Sequence, residues 1–299
     1  ICSKAQNHWH RFSKFASQTI PFMRNYLLIL PLFLVNVFAV AACEQRPNSQ
    51  AVAVGGKTTR VETTYTSQFP SSSTTPPSVP SQSVFTPWQA GRVVSEAQIK
   101  AYGLHQCFVQ EPITDLIFAR MQGKSYKQGC TLPLTDLRYV KVLHYNAQGK
   151  PQLGELVCHK NIAADLVDIF KTLYKAHYRI ARMVLIDAYG ADDERSMAAN
   201  NTACFNYRKI AGSQRLSNHS TGCAIDINPL YNPYVWRSSN GKLHVSPTEA
   251  RPYADRSKTF PYKIDTTDLC YREFIRHGFV WGGAWKRRKD YQHFEKKIK

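Results

Sequence analysis

The sequence predicts an α+β fold, a single domain in which a small antiparallel sheet is flanked by helices. Two observations support this class. Strand-like and helix-like segments do not alternate as they do in a parallel sheet, and residues 137–158 read as two strands joined by a turn. A third observation sets the domain limits, because residues 43–88 are too polar and too rich in proline to bury a core. The folded domain is therefore expected over residues 89–299, which is long enough for one core.

The N-terminal half of this domain contains the clearest periodic patterns. Residues 95–103 predict a short helix that begins at a capping serine and ends at Gly103. Residues 137–145 alternate like a strand, residues 146–151 supply the turn, and residues 154–158 form the second strand. Helical spacing over residues 161–176 is carried by five apolar side chains: Ile162, Leu166, Ile169, Phe170 and Leu173.

The C-terminal half has shorter elements. Residues 183–187 predict an apolar strand, and residues 188–216 predict a long loop because they have no periodicity. Residues 223–227 and 291–294 are strand-like, and residues 267–277 predict a helix that ends at Gly278. No internal repeat is visible.

The N-terminal region predicts export. Residues 23–42 combine one positive charge, an apolar stretch of about fifteen residues and a small-residue end, as in a secretory signal peptide. The ending Val40-Ala41-Ala42-Cys43 resembles the bacterial lipobox, which implies lipidation of Cys43. Residues 1–22 are interpreted as a non-native upstream segment. We therefore expect an exported, membrane-anchored lipoprotein that faces the periplasm or cell envelope.

Charge and the linker indicate the kind of partner. The net charge is +18, and it falls to +14 without the four basic residues that precede Cys43. A basic protein favours an anionic partner, and export argues against nucleic acid. Peptidoglycan or acidic lipid headgroups fit both facts, while a basic surface kept for solubility is the alternative. Residues 43–88 would let an anchored domain, expected to be a monomer, reach roughly 35–40 Å from the membrane.

Six cysteines fall within the predicted domain: Cys107, Cys130, Cys158, Cys204, Cys223 and Cys270. An even number in an oxidising compartment predicts disulfides, although six cysteines allow 15 pairings. Pairing of near neighbours would join Cys107 to Cys130 and Cys204 to Cys223. Cysteine zinc ligands are the competing interpretation, but no Cys-x-x-Cys pair occurs.

Two short segments contain histidines and carboxylates that are candidates for metal binding. His219 precedes Gly222, which permits a tight turn before a strand-like run that contains Asp226. Strand alternation buries the isoleucines on either side of Asp226 and points its carboxylate away from the core, towards His219. The second segment contains His293 and, three residues earlier, Asp290. Imidazole and carboxylate groups that converge in this way suit zinc, with a further carboxylate near a metal-bound water.

The pattern Ser217-x-His219-x-x-Gly222-x-Ala224-x-Asp226, followed by Asp290-x-x-His293-Phe294, resembles a known family. It is similar to the zinc D-alanyl-D-alanine carboxypeptidases, dipeptidases and phage L-alanyl-D-glutamate endopeptidases, which share a fold with the hedgehog signalling domain. The resemblance covers roughly residues 160–299.

The resemblance implies one Zn²⁺ bound by His219, Asp226 and His293. It also implies that Asp290 is the catalytic carboxylate and that Arg208 contacts the scissile carbonyl oxygen. Peptidoglycan peptides are the implied substrates, and Ser217 and Trp285 are the expected substrate contacts. Glu295 is interpreted as a surface acid that balances the two lysines after it, rather than as a partner of a ligand histidine.

Several alternatives stay open at this point. Carboxypeptidase, dipeptidase and endopeptidase relatives share these ligands, so the bond that is cut is not determined. A non-catalytic, zinc-containing module that binds the cell wall is the second hypothesis, although the presence of Asp290 and Arg208 favours an enzyme. Cys223 stands where the family pattern suggests a larger residue, and residues 89–159 match nothing in the family.

Overall fold

A computed structural model describes residues 84–210 and 212–298. It confirms the α+β class and the single domain. The predicted upstream segment, signal peptide, lipidation site at Cys43 and most of the 43–88 linker lie outside the described residues. Across the described ranges, no helix is both long and apolar enough to cross a membrane.

The helices and strands of the described residues are short. The α-helices are α1 (Glu96–Tyr102), α2 (Asp115–Met121), α3 (Lys160–Lys175), α4 (Asp193–Ala198) and α5 (Leu269–Arg276). The strands are β1 (Val109–Pro112), β2 (Leu137–Tyr145), β3 (Pro151–His159), β4 (Ala224–Asp226), β5 (Tyr234–Arg237), β6 (Leu243–Ser246), β7 (Val280–Trp281), β8 (Arg288–Asp290) and β9 (His293–Glu295). The 3-10 helices span Leu104–Cys107, Leu134–Asp136, Ile186–Tyr189, Asn218–Thr221, Thr248–Tyr253 and Gly282–Ala284.

The strands form three small antiparallel sheets where the sequence suggested one. Their orders are β1-β2-β3, β4-β9-β7 and β6-β5-β8. The predicted hairpin is the β2–β3 pair, in which Leu137 lies opposite His159 and Tyr145 opposite Pro151. The second and third sheets contain the segments of the metal motif, so they determine where its side chains meet.

Aromatic packing fixes the second sheet to the rest of the core. Phe274 of α5 stacks on Phe294 of β9 with ring centroids 4.4 Å apart, and it meets Phe170 of α3 edge-on at 6.4 Å. All three side chains are at most 1 % exposed. Burial of a phenylalanine contributes about 1.5–3 kcal/mol, so this contact holds β9 firmly against α3 and α5.

The predicted strand at residues 183–187 is wrong. A 3-10 helix (Ile186–Tyr189) begins there instead, because the Asp187 carboxylate turns inward and accepts a hydrogen bond from the Ser125 backbone N–H at 3.0 Å. The predicted loop at 188–216 contains the six-residue helix α4, whose N-cap is Asp192. A helix this short does not show a repeating apolar face, so the sequence pattern did not indicate it.

None of the predicted disulfides is present, because all six described cysteines are free thiols. Cys107 is buried in the main core, whereas Cys130 packs in a separate cluster. Cys204 and Cys223 donate to different carbonyls, those of Gly222 (3.4 Å) and Thr221 (3.6 Å) respectively. The near-neighbour pairings are therefore not the arrangement that this fold adopts.

Candidate metal centre

A tight turn presents His219 to the site. The turn is the 3-10 helix Asn218–Thr221, and the Ser217 hydroxyl caps it by accepting from the His219 N–H at 3.3 Å. Gly222 ends the turn with φ +70°, a conformation that favours glycine. A Cβ at this position would lie 2.7 Å from the backbone nitrogen of His159, whose N–H donates to the Gly222 carbonyl at 2.9 Å. Only glycine lets the turn approach β3 this closely.

Strand pairing brings the other two candidate ligands together. In the β4–β9 register Asp226 lies directly opposite His293, and Ile225 lies opposite Phe294. Opposed residues share a face of the sheet. Ile225 and Phe294 are fully buried on the core face, which leaves Asp226 and His293 side by side on the face that His219 approaches.

The three side chains converge on one point. His219 Nε2 lies 3.2 Å from His293 Nδ1 and 3.3 Å from Asp226 Oδ2, and His293 Nδ1 lies 3.1 Å from Asp226 Oδ1. Ligand atoms about 2.0–2.1 Å from a tetrahedral zinc ion are roughly 3.3 Å from one another. The measured separations therefore fit one small cation held by three protein atoms.

The remaining ring nitrogens have partners that orient the two imidazoles. His219 Nδ1 donates to the Cys204 carbonyl at 2.7 Å, and His293 Nε2 donates to Glu295 Oε2 at 3.0 Å. This pattern, in which the nitrogen away from the ion donates to a carbonyl or carboxylate, is typical of histidine metal ligands. Glu295 also accepts from the Asn218 amide. The interpretation of Glu295 as a surface acid is wrong, because strand alternation places it on the same face as His293.

The cluster is electrostatically coupled. Burial would raise the pKa of Asp226, but the facing imidazoles of His219 and His293 hold that pKa well below its ordinary value. Burial opposes protonation of His293, yet hydrogen bonds to Asp226 and Glu295 raise its pKa to about 10. Protonation of His293 would therefore compete with a cation for the centre.

Asp290 lies beside the cluster on β8 with a carboxylate that is not fully engaged. Its Oδ1 is buried and has no hydrogen-bond partner among the described residues. Burial, and then the charge of Asp226, raise the pKa of Asp290 to about 7. Gly282 leaves room for this position, since a Cβ there would lie 2.7 Å from the Asp290 carbonyl oxygen. A half-buried carboxyl group whose pKa is raised towards neutral pH is suited to proton transfer.

Residues 211–296 match the family model described as D-alanyl-D-alanine carboxypeptidase. The match covers less than a third of the chain, and it confirms the family resemblance that the motif indicated. It supports a peptidase-type function, and the His-Asp-His group could hold the metal ion that such peptidases use. No curated protein and no solved structure matches the chain.

The other residues predicted from this family occupy different positions around the centre. The guanidinium of Arg208 forms an ion pair with Asp193, which lines a small cavity together with His219 and Asp226. The Arg208 backbone is tied to the turn, because its N–H donates to the Ser220 hydroxyl at 2.9 Å. Trp285 is 37 % exposed, and its ring lies 5.4 Å from that of His293.

The structure places Ser217 differently from these residues. Its hydroxyl caps the turn, its N–H donates to the Arg208 carbonyl, and the side chain is buried. What the structure shows for Ser217 is thus support of the His219 turn; the predicted substrate contact stays a prediction.

The sequence prediction assigned no role in the centre to three residues that shape it. Glu295 could have been found from the two-residue period of a strand, which puts it beside His293. The glycine pair between two tryptophans could have drawn attention to Gly282. Its close contact with Asp290, however, is visible only in the fold. Trp281 is buried and donates to the Tyr291 carbonyl at 2.9 Å, so it braces the segment between Asp290 and His293. Nothing local in the sequence indicated that bond.

Proposed function

We propose that this chain is a zinc-dependent peptidase that hydrolyses peptide bonds in peptidoglycan stem peptides. The observation that carries the proposal is the convergence of His219, Asp226 and His293 at 3.1–3.3 Å beside the half-buried Asp290. The family match over residues 211–296 supports the same reaction class.

His219, Asp226 and His293 would hold the ion, and zinc bound there would polarise a peptide carbonyl and lower the pKa of a water molecule. Asp290 is the base that accepts the proton of the attacking water and then donates it to the leaving amine. Arg208 stabilises the negative charge that develops on the carbonyl oxygen. Asp193 holds the Arg208 guanidinium beside the cavity that reaches His219 and Asp226.

The location of the protein is proposed on sequence features alone. The signal-like segment 23–42, the lipobox-like Cys43 and the polar linker support an exported lipoprotein whose domain works on the cell wall as a monomer. Mass spectrometry of the protein purified from membranes would test this proposal. A mature N-terminus at Cys43 that carries acyl chains is the expected result, and an unmodified cysteine contradicts the anchor.

The decisive experiment is digestion of purified peptidoglycan with and without a metal chelator, followed by identification of the products. Loss of terminal D-alanine indicates a carboxypeptidase, and hydrolysis of free D-alanyl-D-alanine with intact stems indicates a dipeptidase. Opened crosslinks or free stem peptides indicate an endopeptidase. Products that persist in chelator contradict the metal-dependent mechanism. Binding to peptidoglycan without any product instead favours the non-catalytic cell-wall-binding module.

A further inference from the structure

The sheet that contains Asp290 continues beyond the catalytic carboxylate as a second, exposed row of side chains. In the β6-β5-β8 sheet, Ser246, Tyr234 and Asp290 are directly opposed in one row. His244, Trp236 and Arg288 are opposed in the next row on the same face. We call Tyr234, Trp236, His244 and Arg288 the platform.

The opposite face of this sheet is packed, so only the platform face is available to a ligand. Val235 and Val245 alternate with the platform residues and are at most 9 % exposed, in a small core with Ala250. The aromatic members of the platform are half-buried, and Arg288 is exposed. The platform is therefore a solvent-facing extension of the surface on which Asp290 lies.

Ring packing on the platform argues against a sugar as the ligand. Tyr234 and Trp236 stack with centroids 4.8 Å apart, and Trp236 and His244 stack at 4.9 Å. Two neighbouring rings thus stack on the Trp236 indole, which leaves less of its face open to the sugar ring that would stack there in a glycan complex. The ring edges that remain carry positive partial charge, which attracts an anion.

Arg288 supplies a full positive charge at the same place. It donates to the Tyr234 hydroxyl at 3.3 Å and leans towards the row that contains Asp290. Within the described residues it has no acidic partner. The guanidinium is therefore free to form the charge-assisted pair with a carboxylate that arginine geometry favours.

We propose that the platform binds an acidic residue of the peptide substrate, with Arg288 pairing with its carboxylate. This inference rests on the proposed function, and it names the substrate class as a peptide with a free carboxylate away from the cut. Arg288 is two residues from Asp290, about 7 Å along the strand. An extended peptide advances by a similar distance in two residues, so a substrate residue two positions from the scissile bond lies over Arg288.

The test compares Arg288→Gln with Arg287→Gln in the zinc-loaded full-length chain. The control removes the same charge from the neighbouring exposed residue, which precedes β8. The probes are fluorescent stem peptides that have either a free or an amidated carboxylate at each acidic position. Binding is measured by anisotropy in the Asp290→Asn background to prevent turnover, and KM and kcat are measured separately with Asp290 present.

Arg288→Gln is expected to weaken binding of one acid-form peptide by about tenfold, to leave its amide form unchanged and to raise KM with kcat retained. Arg287→Gln is expected to have less than a twofold effect. Equal losses in the two variants, equal affinity for acid and amide forms, or Arg288-dependent binding of peptide-free glycan strands would each overturn the proposal.

The inference and the proposed function can fail independently. If no peptide is cut but binding of the acid-form peptide depends on Arg288, the proposed acid-binding role of the platform is supported and the peptidase proposal is contradicted. If peptides are cut with no preference between acid and amide forms, only the proposed acid-binding role of the platform is contradicted. Melting temperatures of both variants within about 2 °C of the parent would show that the fold is intact.

Discussion

Glu295 offers the sharpest test of the metal centre, because it touches a candidate ligand but is not one. Its Oε2 accepts from His293 Nε2 at 3.0 Å and from the Asn218 amide. The hydrogen bond from His293 lowers the pKa of Glu295 and outweighs the opposing effect of burial, so the carboxylate is charged at neutral pH. Removing this group should loosen the imidazole and reduce its basicity.

The size of the effect follows from which part of the interaction is lost. Glu295→Gln keeps an oxygen that can accept from His293 but loses the charge, so zinc affinity should fall by about tenfold. Glu295→Ala loses both, so a fall of about a hundredfold is expected. These losses correspond to about 1.4 and 2.8 kcal/mol of binding free energy.

Competition with a chromophoric zinc chelator would measure both variants. Glu249, an exposed glutamate in the 3-10 helix Thr248–Tyr253, provides the matched control for loss of one acidic group. If Glu295→Ala binds zinc as tightly as the parent, or if Glu249→Ala loses affinity equally, the assignment of Glu295 as a positioning residue is refuted.

The remaining predictions concern the ligands, the base and the turn. His219→Ala or His293→Ala should abolish zinc binding in the same assay; a variant that still binds zinc with parental affinity is not missing a ligand. Asp290→Asn should keep zinc and lose about 10²–10⁴-fold in kcat, and full activity would remove Asp290 from the mechanism. In the metal-free protein the pKa of Asp290 is about 7, against an ordinary 3.8. Between about pH 4 and pH 7 the native state therefore binds this proton more tightly than the unfolded state does, and the free energy of unfolding falls as the pH rises through this range. Asp290→Asn should therefore be more stable than the parent at pH 8 by up to about 4 kcal/mol, and equally stable at pH 3, by urea unfolding. Gly222→Ala should lower the free energy of unfolding by about 2–5 kcal/mol, and Gly241→Ala should lower it by about 1–2 kcal/mol. Both glycines have positive φ, but only Gly222 faces a backbone atom. Equal losses in the two variants would contradict the close contact between the Gly222 turn and β3.

Local patterns explain how much of this molecule could be predicted. The periodicity of β2 and α3 is strong enough that their bounds agree with the sequence to within a residue or two. The outward direction of Asp226 and His293 followed from strand alternation, and the β4–β9 register agrees with it. What could not be read from the sequence depends on contacts between distant segments.

Two features illustrate this limit. Asp187 turns the chain away from a strand because of a bond to Ser125, 62 residues earlier. The third sheet places Asp290 and Arg288 on one face through pairing with Tyr234 and Trp236, whose sequence contains no sign of that register. Tertiary hydrogen bonds and strand order determine both features, and no local pattern encodes them.

The separation of the three converging side chains in the sequence has a consequence for folding. Asp226 and His293 are 67 residues apart, and His219 and His293 are 74 apart. An ion held by all three closes that loop as a cross-link does, and the chain-entropy relation for such a loop gives about 4 kcal/mol. Chelation should therefore expose the Gly222 turn and the β8–β9 segment to proteases before the rest of the domain is cut. Such an ion would keep the two halves of the motif in register.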